Sequence, residues 1–196
     1  MRIDLALVER GLARSRNHAS SLVESDRVLV NGKAARKSSQ NVEENDKISV
    51  LDAVDYVSRA GHKLAKALDV FTEIDLVGKT ALDVGASTGG FTDVLLTRGA
   101  AHVFAVDSGT NQLAWKLRQD PRVTVLEQLS ARLLTAEHID RPCNWVVCDA
   151  SFISLAKVLE RPLELAATPC QLVALIKPQF EVGREEVGKG GVVRDP

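Results

Sequence analysis

The sequence predicts an α/β domain built on a mostly parallel sheet, preceded by a small α+β module. Three observations carry that expectation. From Val57 onward, short apolar runs alternate with amphipathic stretches, the pattern of strands joined by covering helices. The first run, Ala81 to Val84, breaks into a glycine-rich turn, Gly85-Ala86-Ser87-Thr88-Gly89-Gly90. Residues 1 to about 52 have a more basic character and their own turn punctuation.

In the first segment, Leu5, Val8 and Leu12 fit one helix face, with Gly11 where a C-terminal cap belongs. Ser15 can cap a second helix that buries Ala19, Leu22 and Val23. Val28-Leu29-Val30 then reads as a strand, Asn31-Gly32 as a tight turn, and Lys47 to Val50 as a later strand. Basic residues gather here (Arg2, Arg10, Arg14, Arg16, Arg27, Lys33, Arg36, Lys37), whereas Glu43, Glu44, Asp46, Asp52 and Asp55 follow. Such a cluster suits a phosphate backbone as readily as it suits a solvated face. The polar stretch Asp52 to Tyr56 is the expected join, giving domains over 1–52 and 59–196 with a linker at 53–58.

The second segment offers strands at Thr80–Val84, His102–Val106, Val123–Leu126, Trp145–Cys148 and Leu172–Ile176, with a helix starting near Phe91. Ligands of such sheets bind beyond the C-terminal strand ends. The residues there are Gly85, Asp107, Glu127, Asp149 and Lys177. Glycines let backbone N–H groups approach a ligand, and the following helix dipole favours negative groups. A dinucleotide turn needs a second glycine where Ser87 stands, and no Gly-Lys-Ser/Thr follows for a phosphate loop. The acidic Asp83 before Gly85 and the Gly89-Gly90 pair look more like an S-adenosylmethionine loop. Asp107, about twenty residues after the glycine turn, is placed to hold ribose hydroxyls.

The chain has 196 residues, 45% hydrophobic and 26% charged, with a net charge of -1, so any RNA binding must come from a local patch. Cys143, Cys148 and Cys170 have no metal-ligand spacing and fit a reducing cytoplasm. The N-terminus lacks a signal-peptide pattern and no apolar run approaches a membrane span, so the expectation is a soluble cytoplasmic protein without a metal.

Methyl transfer to a ribose hydroxyl requires removal of its proton, and a lysine can assist when neighbouring charges tune it. Lys63, Asp149 and Lys177 are the candidates, each with a plainer reading: an exposed helix lysine, a cap, and a strand-end lysine before proline. His62, His102 and His138 read as structural, and Trp115 and Trp145 as core.

Several motifs go further by resemblance. Arg2-Ile3-Asp4, Gly11 to Arg16 and Val28 to Gly32 resemble the S-four-type RNA-binding module, except that Asp26 replaces its usual glycine. Asp tolerates the left-handed turn expected there. In that module Arg2, Arg14, Ser15, Arg16, Lys33, Arg36 and Lys37 would face RNA. Tyr56 to Leu64, Asp83 to Thr92, Cys148 to Ser154, Lys177 to Glu181 and Gly188 to Pro196 resemble the TlyA family. These are FtsJ-like rRNA 2′-O-ribose methyltransferases, often labelled haemolysins.

The resemblance implies a Rossmann-like class I SAM-dependent methyltransferase domain, with cytidine in ribosomal RNA or ribosomal subunits as substrate. It implies a Lys-Asp-Lys-Glu tetrad whose first three members match Lys63, Asp149 and Lys177, the last being the expected base. S-adenosyl-L-methionine would lie over Gly85, Ala86, Ser87, Thr88, Gly89, Gly90 and Phe91, with Asp83, Asp107, Glu127 and Asp149 around it. The family continues past Arg-Asp-Pro into strands that hold the tetrad's glutamate, so a C-terminally truncated domain is expected here. An RNA-binding protein without catalysis is the alternative; lysis of membranes and pseudouridine synthesis are disfavoured.

Overall fold

The structure, a computed structural model, describes residues 1–51 and 56–193. Most of the expected join, and the closing Arg194-Asp195-Pro196, lie outside the described residues. The chain divides into two compact units, Met1–Asp55 and Tyr56–Pro196.

In the first unit, α1 (Ile3–Glu9) and α2 (Arg16–Glu24) accompany a sheet of β1 (Val28–Val30), β2 (Lys33–Ala34) and β3 (Ile48–Val50). The strands are antiparallel in the order β2-β1-β3. Asn31 and Gly32 both adopt positive φ, as the two-residue turn between β1 and β2 requires. Ser15 Oγ accepts from His18 N at 3.2 Å and caps α2, whose Ala19, Leu22 and Val23 are buried. Asp26 takes φ 56°, the left-handed turn expected of it. The face of α1 differs from expectation: Ile3, Ala6 and Leu7 are buried, while Leu5 and Val8 are exposed. A seven-residue helix makes barely two turns, so apolar residues on opposite sides mimic one stripe.

The second unit begins with α3 (Arg59–Val70) and continues through β4 (Thr80–Val84), α4 (Gly90–Thr97), β5 (His102–Val106) and α5 (Trp115–Arg118). It then runs through β6 (Val123–Leu126), β7 (Cys143–Cys148), α6 (Leu155–Glu164), β8 (Ala166–Ala174) and α7 (Pro178–Glu181). The five strands are all parallel, in the order β6-β5-β4-β7-β8. Apolar side chains alternate across the sheet. Ala81, Val103, Ala105, Trp145 and Val147 pack under α3 and α4, and Leu82, Val84, Phe104, Val146 and Cys148 under α6.

The sheet reverses its winding between β4 and β7, which opens a crevice at their C-terminal ends. β8 begins at Ala166, six residues ahead of the expected Leu172, because α6 runs almost directly into it. It forms one edge of the sheet, with Leu172 and Ile176 exposed. Trp145 is core, as expected, but Trp115 is 72% exposed at the start of α5. A four-residue helix buries only Leu117, leaving Trp115 no interior to enter. Among the described residues, no helix is long and apolar enough to cross a membrane and no cluster is fit to hold a metal.

Candidate active site

The glycine turn is shaped from beneath and from both sides. Gly85 N and Ala86 N donate to Val106 O, holding the turn to β5. A side chain on Gly85 would meet the Ala150 backbone at 3.0 Å, and one on Gly89, at φ 92°, would meet Leu117 Cδ1 at 2.3 Å. Only glycine permits both approaches. Ser87 follows at φ 48°, its N–H donating to Asp107 Oδ2 at 2.8 Å. Asp107 Oδ1 accepts from Gly109 N at 2.7 Å, so this carboxylate ties the two loops together.

Around the turn lies a two-lobed cleft. One lobe, about 570 Å³, is lined by Gly85, Asp107, Gly109, Gln112, Ser130 and Ile153 among others. The other, about 290 Å³, holds Lys63, Thr88, Phe91 and Lys177. Gly85, Ser87, Asp149 and Ser151 border both.

At that border Asp149 stands between two lysines. Its Oδ1 is 2.6 Å from Lys177 Nζ and its Oδ2 is 3.5 Å from Lys63 Nζ. Lys177 Nζ also donates to the carbonyls of Asp149 and Ala150, each at 3.0 Å, and to Ser151 Oγ at 2.8 Å. Strand chemistry places these groups. Asp149 N donates to Val84 O, extending β7 along β4, and Leu175 N donates to Cys148 O, extending β8 along β7. Lys177 then precedes Pro178, which suits the first turn of α7 and ends the extended segment. Lys63 arrives from α3, where Gly61 presses so closely on α4 that a Cβ would lie 2.9 Å from Gly90 O.

Glu127 and Asp83, both expected around the cofactor, lie outside the cleft lining. Glu127 Oε1 accepts from the backbone N–H of Gln112 and Leu113, and its Oε2 from Asn111 N and Arg118. Burial raises the pKa of Glu127, but Arg118 and these N–H groups outweigh it and bring it down to about 2. Its hydrogen bonds shape the 111–113 loop, whose Gln112 reaches Ser87 Oγ at 3.1 Å. Asp83 is fully buried below the turn and accepts from Thr92 Oγ1 at 2.7 Å. Burial pushes its pKa up to about 7, with Thr92 opposing and Asp149 and Asp107 adding to the rise.

Sequence reasoning missed Gln112, Arg118 and Phe152 as parts of this site. Phe152 is 90% exposed at φ 67°, with its ring centroid 5.2 Å from that of Phe180. Its only signal was its place in the motif after Asp149. His102 and His138 are engaged by Thr124 and Thr135, and His62 packs edge-on against Tyr56.

In the first unit, Arg2 and Arg16 converge on the buried Asp4, at 3.0 and 3.1 Å. Arg14, Lys33, Arg36 and Lys37 are exposed, and the Ser15 hydroxyl is engaged as the cap of α2.

The family profile described as FtsJ-like methyltransferase matches residues 56–196, and that of the S4 domain matches residues 1–48. The chain is 51% identical over its full length to the 16S/23S rRNA (cytidine-2′-O)-methyltransferase TlyA of Mycobacterium tuberculosis, spanning 73% of that protein. It is 41% identical to Hemolysin A of Brachyspira hyodysenteriae, again over the full chain and 81% of the relative. A solved chain from Streptococcus thermophilus, labelled a hemolysin, superposes with a TM-score of 0.69 at 40% identity, covering all of this chain and 72% of the other.

Proposed function

Because this chain belongs to the TlyA family of FtsJ-like methyltransferases, we propose that it methylates the 2′-hydroxyl of a cytidine in ribosomal RNA, using S-adenosylmethionine. The observation that carries the reading is the bridge from Lys63 through Asp149 to Lys177 beside the glycine turn.

The residues present fit the cofactor. Gly85 and Gly89 hold the turn tight against Ala150 and Leu117 beside the cleft, and Asp107 faces the larger lobe with lone pairs for ribose hydroxyls. When bound, S-adenosylmethionine supplies an electrophilic methyl on a sulfonium. Gly85 to Phe91, Asp107 and Asp149 would hold it, with Glu127 and Asp83 acting from behind by shaping the loop and the floor.

The chain's own residues then act on the acceptor. A ribose hydroxyl attacks effectively only as its proton leaves, so a base must lie at the acceptor oxygen. Lys177 is the residue proposed to take that proton. Two main-chain carbonyls and Ser151 hold Nζ in place, and Asp149 aligns it with Lys63. Fixing the reacting groups in this way supplies catalysis by orientation. Arg14, Lys33, Arg36 and Lys37 would hold the RNA backbone from the first unit, together with Arg2 and Arg16, which Asp4 steadies. A protein that acts on ribosomal RNA would work in the cytoplasm.

The test is transfer of labelled methyl from S-adenosylmethionine to unmodified ribosomal subunits. The intact protein should label RNA, and Lys177→Ala should reduce labelling by about 100-fold or more while cofactor binding survives. Equal labelling by the variant would remove Lys177 from the mechanism.

A further inference from the structure

Asp83 is a buried acid for which the fold supplies only half a set of partners. It lies on the central strand β4, level with Ala105 of β5 and Val147 of β7, on the apolar face under α3 and α4. One oxygen accepts from Thr92 Oγ1; the other, Oδ1, is buried with no hydrogen-bond partner among the described residues. A carboxylate left so is costly, and the ordinary escape is to hold a proton.

The groups around it sharpen this. Asp107 and Asp149 stand one pleat above, beyond the ends of β5 and β7, and both are acids. Cys148 of β7 is a buried thiol whose pKa burial pushes up to about 11. From α4 comes the neutral Thr92, while Asp93 is turned to Val57 N and Lys116. The cations Lys63 and Lys177 are paired with Asp149. Among the described residues, no ion pair balances Asp83.

We infer that Asp83 is the charge-matching residue of the cofactor site, protonated when the cleft is empty and giving its proton to solvent when the positively charged cofactor binds. This rests on the cofactor reading above. The cofactor brings an ammonium, a carboxylate and a sulfonium, and its net positive charge stabilises a carboxylate under the turn. The O–H bond of Asp83 breaks, the proton passes to the buffer, and the carboxylate remains to face the cation. The pKa near 7 in the empty protein puts this exchange in the physiological range. The sign follows: below pH 7 binding must first remove a proton, so affinity falls by up to about tenfold per pH unit.

The experiment is titration calorimetry of the whole chain with S-adenosylmethionine at pH 7, in buffers of different ionisation enthalpy, read as protons released per cofactor bound. Release of about half a proton is expected, because about half of Asp83 is protonated there. Asp83→Asn should lower that release by the same amount and flatten the affinity between pH 5.5 and 7.5. Thr92→Val keeps shape but removes the bond favouring the carboxylate, so its release profile should move to higher pH. Binding with no release, or release unchanged in Asp83→Asn and unmoved in Thr92→Val, would overturn the inference while leaving the cofactor reading intact. No binding by the unaltered chain at any pH would overturn the cofactor reading, and this inference with it.

Discussion

The two halves of the sheet's C-terminal rim use their charges differently. On the β5–β6 side, Asp107 and Glu127 accept from backbone N–H groups and so determine where loops lie. On the β7–β8 side, Asp149 and Lys177 meet as side chains in the open cleft, and Lys63 joins them from α3. A carboxylate satisfied by backbone acts as scaffold; one held between ammonium groups remains adjustable for chemistry. The difference teaches which acids to expect in binding and which in turnover.

The largest expected effect tests that division directly. Asp149→Asn keeps the shape but unlinks the two lysines, and kcat should fall by about 100- to 10,000-fold, a much larger loss than that in cofactor affinity. A loss confined to cofactor binding would move Asp149 to the scaffold side. Next, Glu127→Gln replaces an acceptor with an amide facing backbone donors, costing about 1–3 kcal/mol of loop order. That should weaken cofactor binding by about tenfold to a hundredfold, with kcat at saturation retained. A calorimetric titration of the variant decides it.

The pH dependence of stability sharpens the contrast further, since the two shifted acids have opposite signs. Glu127 has its folded pKa lowered to about 2, so its contribution is present above the ordinary value of 4.5 and is lost as pH falls towards 2. Asp83 has its folded pKa raised to about 7, so the empty protein loses stability from it as pH rises from 3.8 through 7. Thermal midpoints of Glu127→Gln should therefore approach those of the parent in acid. Asp83→Asn should flatten the decline between pH 4 and 7. The smallest effect lies outside both halves: Trp115→Ala should shift stability by no more than about 0.5 kcal/mol, because the ring is exposed.

The sheet was legible because each strand is a contiguous apolar run closed by a turn or charge, and parallel strands buried on both faces read that way. The glycine turn, Asp107, Asp149 and Lys177 were legible for the same reason, each lying just past a run. What escaped notice depends on partners distant in sequence. Glu127 is expected beside the cofactor from its place after β6, but its bonds to Asn111, Gln112, Leu113 and Arg118 could not be read from the sequence. The exposure of Leu5 and Val8 is not legible because a short helix gives periodicity too few residues to test. Trp115 was assigned to the core by residue type, but the shortness of α5 decides its exposure. Phe152 has no signature beyond its place in the motif after Asp149, since its exposure follows from a left-handed turn that no glycine announced.

A ribose hydroxyl, and not a base, is the proposed acceptor of the methyl. Alkali cleaves RNA through the free 2′-hydroxyl, so a methyl there protects the adjoining phosphodiester. Ribosomal RNA labelled by this protein should be digested with alkali and its fragments separated. Label should appear in alkali-resistant dinucleotides whose methylated member is cytidine. Label recovered wholly in mononucleotides would contradict it, because the methyl would then sit on a base.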